Sequence, residues 1–535
     1  MNNRIGDGFV RTLIKNGLII DGNNTVPYEG DLLIENDRIL KLGAKLDEQA
    51  DKVIDAQGRV VCPGFIDTHS HSDLMILVNP YNEVKIRQGI TTEVLGQDGI
   101  SMAPLPKEFI SPWRKNLAGL DGESDEIDWN YETTENYLKM MEDNGIGLNE
   151  TYLVPHGNIR MEAMGLEDRP ATKEEIQKMC EITERELKAG AIGISSGLIY
   201  IPCAYSLTEE IIEICKVGAK YDRPFVVHQR SEADTIVPSM EEIIEIGKKS
   251  GIKIHFSHFK VCGKANWKFI PQMLELLDKA KDEGLTVSLD QYPYAAGSTM
   301  LGVVLPPWAH AGGTDNLIER LNNEADRQKM KDDIANGIEG WDNFIQFAGI
   351  DQIFVTSVKT DKNKDVIGKS LQEIGEMRGI DPLDATFDLL RDEENAVGMV
   401  DFYGKEEHVI TFMKRPEHNV CTDGLLGGKP HPRAYGSFPK ILGRFVRELG
   451  VLKLEEAVYK MSKKAADAFR IDERGELKEG YFADIVIFNK DTVSGSDDFI
   501  DSMQFPTGID YVIINGEVVV EENEYHKIKA GKVLR

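Results

Sequence analysis

Pro63-Gly-Phe-Ile-Asp-Thr-His69-Ser-His71 is the stretch on which the reading of this chain turns. A short apolar run leads into two histidines separated by one residue. Alternate residues of a strand point to the same side, so His69 and His71 are expected to project together. Two imidazoles at one strand end can share a divalent metal, and in a parallel barrel the strand ends are where active sites form. A bare His-x-His pair is more often buried for packing. This one follows an apolar strand at the start of a region long enough for a whole barrel, which favours the metal.

Outward from it, helix and strand signals alternate. Thr172-Lys-Glu-Glu175 is a capping box, followed by Ile176, Met179, Cys180 and Leu187 at helical spacing. Ala191–Ser195 then reads as a buried strand, and the same alternation continues through Phe225-Val-Val-His228. Eight candidate strands end near Asp67, Gln97, Val154, Ser195, His228, Ser257, Asp290 and Cys421. That count predicts an α/β protein built on a (β/α)₈ TIM-like barrel, ahead of a doubly wound sheet. The stretch from Gln291 to His418 is too long for one connection, so an insertion is expected at about 301–349, over the barrel mouth. Both ends of the chain read as short strands with polar turns. A small β-sandwich domain is therefore expected from residues 1–61 together with 472–535, around a catalytic barrel of 62–471.

Three later strand ends carry further candidates. His228 and His258 end two of them, and Asp423, in Cys421-Thr-Asp-Gly, ends the eighth. A carboxylate there can bind metal and move a proton between water and a leaving amine. His255 is an odd number of residues from His258 and is expected to face away. Lys260 shares the inward face with His258, and Arg433 follows Asp423 closely. An ammonium and a guanidinium at one mouth suit a substrate carboxylate.

Several motifs together resemble the N-acyl-D-amino-acid deacylases (D-aminoacylases) of the amidohydrolase superfamily. They are Pro63–His71, Val154-Pro-His156-Gly, Ser196-Gly-Leu-Ile-Tyr200-Ile-Pro202 and His258-Phe-Lys260. Tyr292-Pro-Tyr294-Ala-Ala-Gly-Ser298-Thr, Asp423-Gly and His431-Pro-Arg433-Ala-Tyr-Gly436 complete the set, in order, over nearly the whole chain. Gly480-Tyr-Phe-Ala-Asp484 is shared more widely by amidohydrolases.

The resemblance implies a binuclear-type centre holding one or two divalent ions, with zinc first. His69, His71 and Asp423 would serve one position, and His228 and His258 the other. The family places a cysteine after the second strand; here Gly96-Gln97-Asp98-Gly99 puts Asp98 in its place, a harder ligand that brings manganese or cobalt into play. The resemblance also sets Lys260, Arg433 and Tyr292 or Tyr294 at the substrate carboxylate, with Tyr200 and Ser298 nearby. Tyr200 or His156 would polarise the scissile carbonyl. The implied activity is hydrolysis of N-acyl-D-amino acids, with Asp423 as general base and acid. Cyclic amides, or dipeptides containing a D-residue, are the alternative. Gly193-Ile-Ser195-Ser-Gly197 lacks the lysine that ring-amide hydrolases carboxylate, which weakens the cyclic-amide reading. Family members specific for acidic D-amino acids carry an extra arginine in the segment after the Ser298 position; here that segment, Met300-Leu-Gly-Val-Val-Leu305, is apolar, so the resemblance implies a neutral or hydrophobic side chain.

Composition narrows the partners. A net charge of −28 over 535 residues disfavours nucleic acid, and the apolar runs are too short and broken to span a membrane. Six scattered cysteines without a CxxC pair, and a Met1–Ile14 start without an apolar leader core, fit a cytoplasmic protein. A small carboxylate-bearing substrate is the expected partner, and homo-oligomer formation is compatible with everything above.

Overall fold

The structure, a computed structural model, describes residues 9–535; the first eight residues of the expected 1–61 segment lie outside it. Eight parallel strands run in chain order. They are Phe65–Asp67, Ile90–Leu95, Asn149–Tyr152 continued as Val154–Pro155, Ile194–Gly197, Pro224–His228, Lys253–Phe256, Val287–Gln291 and His418–Val420. Each pairs with its predecessor. The ring closes where the Asp423 N–H donates to the His69 carbonyl and Ser70 bridges Gly424. The same closure brings the two ends that carry the first and last candidate ligands side by side.

Ile66, Val94 and Val226 on barrel strands, with Leu153 between the two pieces of the third strand and Ile192 just ahead of the fourth, form a buried cluster inside the barrel. Helices pack the outer face. Lys173–Lys188 starts at the expected Thr172/Glu175 capping box and buries Met179, Ile182 and Leu187. It joins Thr208–Lys220 and Ile236–Ser250 in a layer whose core includes Ile211, Ile243, Phe225 and Ile254. Each fully buried aliphatic side chain contributes about 1.5–3 kcal/mol.

Strands from both termini make one nine-stranded sheet. Val60–Pro63 joins them, pairing parallel with Arg11–Ile19 and antiparallel with Ile485–Phe488. The sheet curls until its distant turns meet: a Cβ on Gly516, at φ +82°, would lie 1.8 Å from the Asn36 carbonyl oxygen. The layers expected of a sandwich are thus parts of one ladder, enclosing Ile14, Leu32, Ile39, Ile54, Ile485 and Ile513. Val60, Cys62, Val486, Phe488 and Val512, on the opposite face, join the barrel's own core. Since Val60–Pro63 runs almost directly into the first barrel strand, the sheet anchors the His69 segment from below.

The insertion is wider than 301–349. Gly297–Met300, Val397–Asp401 and Ile353–Val358 form a separate antiparallel sheet, with Gly297 opposite Asp401. It carries helices such as Thr314–Leu321, Glu324–Asn336 and Pro382–Asp392 on a core including Leu317, Met330, Val355, Phe387 and Met399. The pairing partner of Gly297–Met300 lies so far along the chain that no local pattern announces it. Among the described residues no helix is long and apolar enough to cross a membrane.

Candidate metal and substrate site

The barrel's C-terminal mouth gathers all six expected ligands. His69 Nε2 lies 3.3 Å from His71 Nε2, and each is 3.5 Å from Asp98 Oδ2. Asp423 Oδ1 is 3.6 Å from His69 Nε2 and 3.3 Å from His71 Nε2. On the other side of Asp98, His258 Nε2 lies 3.6 Å from Oδ1 and 2.9 Å from His228 Nδ1. The sets His69/His71/Asp98, His69/His258/Asp423 and Asp98/His228/His258 each bring three ligand atoms within 4.8 Å of one another. Asp98 Oδ1 is buried without a hydrogen-bond partner, and so is His228 Nε2. Imidazole nitrogens and carboxylate oxygens at this spacing fit one or two divalent cations, and the orphaned Asp98 oxygen supports that fit.

The backbone is strained where these ligands sit. Asp98, His258 and Asp423 all adopt left-handed φ, at 55°, 34° and 48°. Such conformations cost about 1–3 kcal/mol each and persist where surrounding structure fixes them. At Asp98 the flanking Gly96 and Gly99 permit the turn: a Cβ on Gly96 would lie 2.1 Å from the Leu153 carbonyl oxygen.

Left-handed backbone also corrects the expectation for His255. That residue is aligned with Val226, which faces the barrel interior, so His255 points inward rather than away. It is held deep in the barrel by Ser288 Oγ at 2.7 Å and Asp290 Oδ2 at 2.8 Å. Simple alternation would turn His258 outward; its φ of 34° breaks the alternation and aims the ring at Asp98.

Arg433 Nη1 lies 2.8 Å from Asp423 Oδ2, and Nη2 donates to the Ser298 carbonyl at 2.8 Å. Burial alone would raise the Asp423 pKa. The Arg433 guanidinium, then His69 and His71, hold it well below the usual carboxylate range. Asp98 is lowered in the same way against its burial, chiefly by His69 and His258. His228 is depressed by burial to about 4, which leaves its ring neutral and free of proton competition at neutral pH.

The cluster opens onto a cavity lined by Tyr200, Lys260, Tyr292, Ser298 and Arg433 among others. All five expected substrate-binding residues are therefore present, but several are already engaged. Arg433 is fully buried and committed to Asp423, so its first partner is the candidate base and not a substrate carboxylate. Lys260 Nζ is paired with Glu232, 2.7 Å from Oε2 and 2.9 Å from Oε1. Tyr292 OH meets Tyr403 OH at 2.9 Å, Tyr200 OH meets Thr299 Oγ1 at 2.9 Å, and Ser298 Oγ donates to the Met399 carbonyl. Of the two candidate tyrosines Tyr292 lines the cavity, while Tyr294 OH donates to the Ser496 carbonyl.

His156 is also accounted for elsewhere. Its ring is buried between Ser196 Oγ at 3.0 Å and Glu210 Oε1 at 2.9 Å, and it is absent from the cavity wall.

The acids around the site escaped the sequence reading. Asp121 Oδ1 stands 3.7 Å from His71 Nδ1. Asp401 lines the cavity with Oδ2 unpartnered, and burial raises its pKa to about 7. Asp342, from the insertion, accepts from Ser231 Oγ and, at 2.7 Å, from the Glu232 N–H, clamping the covering segment to the barrel rim. A second, mainly apolar cavity shares Ile199, Tyr200, Asp342 and Phe344 with the first and is walled by Met300, Val303 and Leu305.

Comparison with known proteins agrees with this architecture. The sequence profile of the amidohydrolase family matches residues 52–330 and 370–520. The D-aminoacylase of Alcaligenes xylosoxydans xylosoxydans is 33% identical over 523 residues, covering 98% of this chain and 97% of that protein. The N-acyl-D-glutamate deacylase of the same organism is 31% identical over 525 residues, covering 98% and 96%. Among solved structures, the N-acyl-D-glutamate deacylase of Bordetella bronchiseptica, complexed with zinc and a phosphonate mimic of the tetrahedral intermediate, superposes with a TM-score of 0.83. It is 31% identical, with 98% and 99% of the two chains covered. A D-aminoacylase studied for its binuclear metal centre gives the same TM-score at 32% identity and the same coverage. The chain belongs to the amidohydrolase family and, within it, to the N-acyl-D-amino-acid deacylases.

Proposed function

We propose that this protein hydrolyses the amide bond of N-acyl-D-amino acids, releasing a carboxylic acid and a free D-amino acid. The observation that carries the reading is the six-ligand cluster opening onto a cavity that also presents Lys260 and Tyr292. His69, His71, Asp98, His228, His258 and Asp423 would hold one or two divalent ions, zinc first, with manganese or cobalt compatible with Asp98. Such an ion supplies Lewis acidity, acidifying water and polarising a carbonyl oxygen.

The rest is the work of the chain's own groups. Asp423, held as a carboxylate by Arg433, takes a proton from the attacking water at Oδ1 and returns it to the departing amine. Arg433 keeps Oδ2 occupied, so the free oxygen is the one facing His71. Lys260 and Tyr292 receive the substrate carboxylate, and Tyr200 stands beside His228 with its ring centroid 5.4 Å away. The adjoining cavity of Met300, Val303 and Leu305 supports a neutral or hydrophobic side chain. The insertion supplies Asp342, Phe344, Phe347 and Asp401 to the wall of the site. We place the enzyme in the cytoplasm, where its six free cysteines remain reduced, acting on a small molecule rather than on nucleic acid or membrane.

The test is metal content of the purified protein together with hydrolysis of N-acetyl-D- and N-acetyl-L-methionine after metal reconstitution. Release of D-methionine alone, abolished by chelation, is the expected result. Bound metal with neither substrate cleaved would reject the substrate class while leaving the metal site. A strong preference for N-acyl-D-glutamate would reject the side-chain assignment.

A further inference from the structure

We infer that Glu232 is a positioning residue of the metal site, one carboxylate that hydrogen-bonds His258 from behind and faces the remote nitrogen of His228. Glu232 follows the fifth barrel strand and is 4% exposed. Its Oε1 lies within hydrogen-bond distance of His258 Nδ1, at 3.2 Å, while its Oε2 faces His228 Nε2 across 3.7 Å, beyond hydrogen-bond reach, which leaves that nitrogen without a hydrogen-bond partner. These are the remote nitrogens. The opposite pair, His258 Nε2 and His228 Nδ1, are the two that meet at 2.9 Å in the ligand cluster. Two imidazoles on different strands thus turn one nitrogen each toward the cluster and the other toward a single carboxylate.

The chemistry of a neutral imidazole makes this arrangement directional. A ring that gives one lone pair to a cation carries its hydrogen on the other nitrogen. For both histidines that hydrogen would face Glu232. Lys260 Nζ also lies 2.8 Å from His258 Nδ1, and a nitrogen cannot accept from lysine while carrying its own hydrogen. With Nε2 committed to a cation, Nδ1 donates to Glu232, and Lys260 is left with its ion pair to the same carboxylate. An ionised carboxylate has about four acceptor sites, enough for two imidazole N–H groups and one ammonium.

Glu232 is built to stay in place. Its N–H donates to Asp342 Oδ2 at 2.7 Å, and its carbonyl accepts from the Cys262 N–H at 2.7 Å. Clamped between the insertion and the loop after the sixth strand, it presents its carboxylate to the two rings from a fixed backbone. A carboxylate needed only as a partner for Lys260 would not require both remote nitrogens on the same side.

This inference rests on the metal reading above, and its readout is metal binding, which is independent of substrate. Zinc affinity is measured by competition with a chromogenic chelator for the full-length wild type, E232A, E232Q, K260M and the double variant E232A/K260M. We expect E232A to bind zinc about 10–100-fold more weakly. E232Q, which retains one acceptor oxygen, should fall between, and K260M should match wild type. The double variant decides the cause. If it is as weak as E232A, Glu232 acts through the histidines. If it returns to wild-type affinity, Glu232 merely neutralises Lys260, and the inference is overturned. Wild-type affinity in E232A overturns it as well. Melting of each variant in chelator separates a folding defect, which lowers the metal-free transition, from a loss confined to metal. Should wild type itself bind no zinc, the metal reading falls, and this inference with it.

Discussion

Arg433 Nη1 and Asp423 Oδ2 lie 2.8 Å apart, and this pair leaves Asp423 with one free oxygen, directed at His71. The arginine is fully buried, spans from Asp423 to the Ser298 carbonyl, and stacks over Tyr292 with its guanidinium carbon 4.4 Å from the ring centroid. It therefore ties the eighth strand end to the inserted sheet through the candidate base. The base, the cavity tyrosine and the covering segment share one cation.

Asp423→Asn should lower kcat/KM by about 10²–10⁴-fold, the usual contribution of a positioned general acid–base. The amide is nearly isosteric and keeps an oxygen acceptor for Arg433, so the fold should hold. Metal bound through Asp98, His228 and His258 should remain. Turnover measured alongside metal content checks this, and near-normal turnover with metal bound would remove Asp423 from the proton path.

Arg433→Lys isolates the role of the fork. A lysine ammonium cannot reach Asp423 and the Ser298 carbonyl in the geometry of a guanidinium. Loss of one hydrogen bond to a charged group costs about 1.5–3 kcal/mol, or about 10–100-fold in rate. The drop should appear in kcat at unchanged zinc content. If KM alone rises, Arg433 binds the substrate carboxylate after all.

How far the sequence disclosed this site depends on the kind of signal each residue leaves. His69, His71, His228 and His258 stand at the ends of apolar runs, and eleven histidines in 535 residues make such positions conspicuous. Asp98 was legible only through the resemblance, because an Asp in a Gly-rich turn reads as a turn. Glu232, Asp121, Asp342 and Asp401 are four among 90 acidic residues, and nothing local distinguishes them from solvated carboxylates. Their burial follows from tertiary packing, the insertion above all. The extent of that insertion was hidden for the same reason, since Gly297 finds its partner in Asp401 across a hundred residues of intervening helix and strand. His255 failed differently: period-two alternation holds only while the backbone stays extended, and His258 does not.

Asp98→Cys should change which metal the site prefers. A thiolate is softer than a carboxylate, so zinc should gain on manganese. Asp98 lies between the two halves of the cluster, and its Oδ1 has no other partner, so few other contacts depend on it. Competitive loading of wild type and D98C with equal zinc and manganese, followed by elemental analysis, gives the ratio directly. An unchanged ratio would mean that Asp98 is not a ligand.

Asp342 offers a test of how the covering segment is held. Burial raises its pKa from 3.8 to about 7 against the opposing pull of the Glu232 N–H and Ser231 hydroxyl. The sign follows from proton counting. Between 3.8 and about 7 the folded form binds this proton and the unfolded form does not, so stability falls as pH rises through that window. Asp342→Asn cannot titrate, yet its carbonyl can accept from the Glu232 N–H while its amide donates to Ser231 Oγ. The variant should therefore fold, and its melting temperature should decline less steeply than that of wild type from pH 4 to pH 7. Measured in chelator, so that metal binding does not enter, the two curves should converge at the acidic end and separate toward neutrality, with D342N the more stable. Parallel curves would show that Asp342 is already ionised throughout, its two hydrogen bonds outweighing the cost of burial.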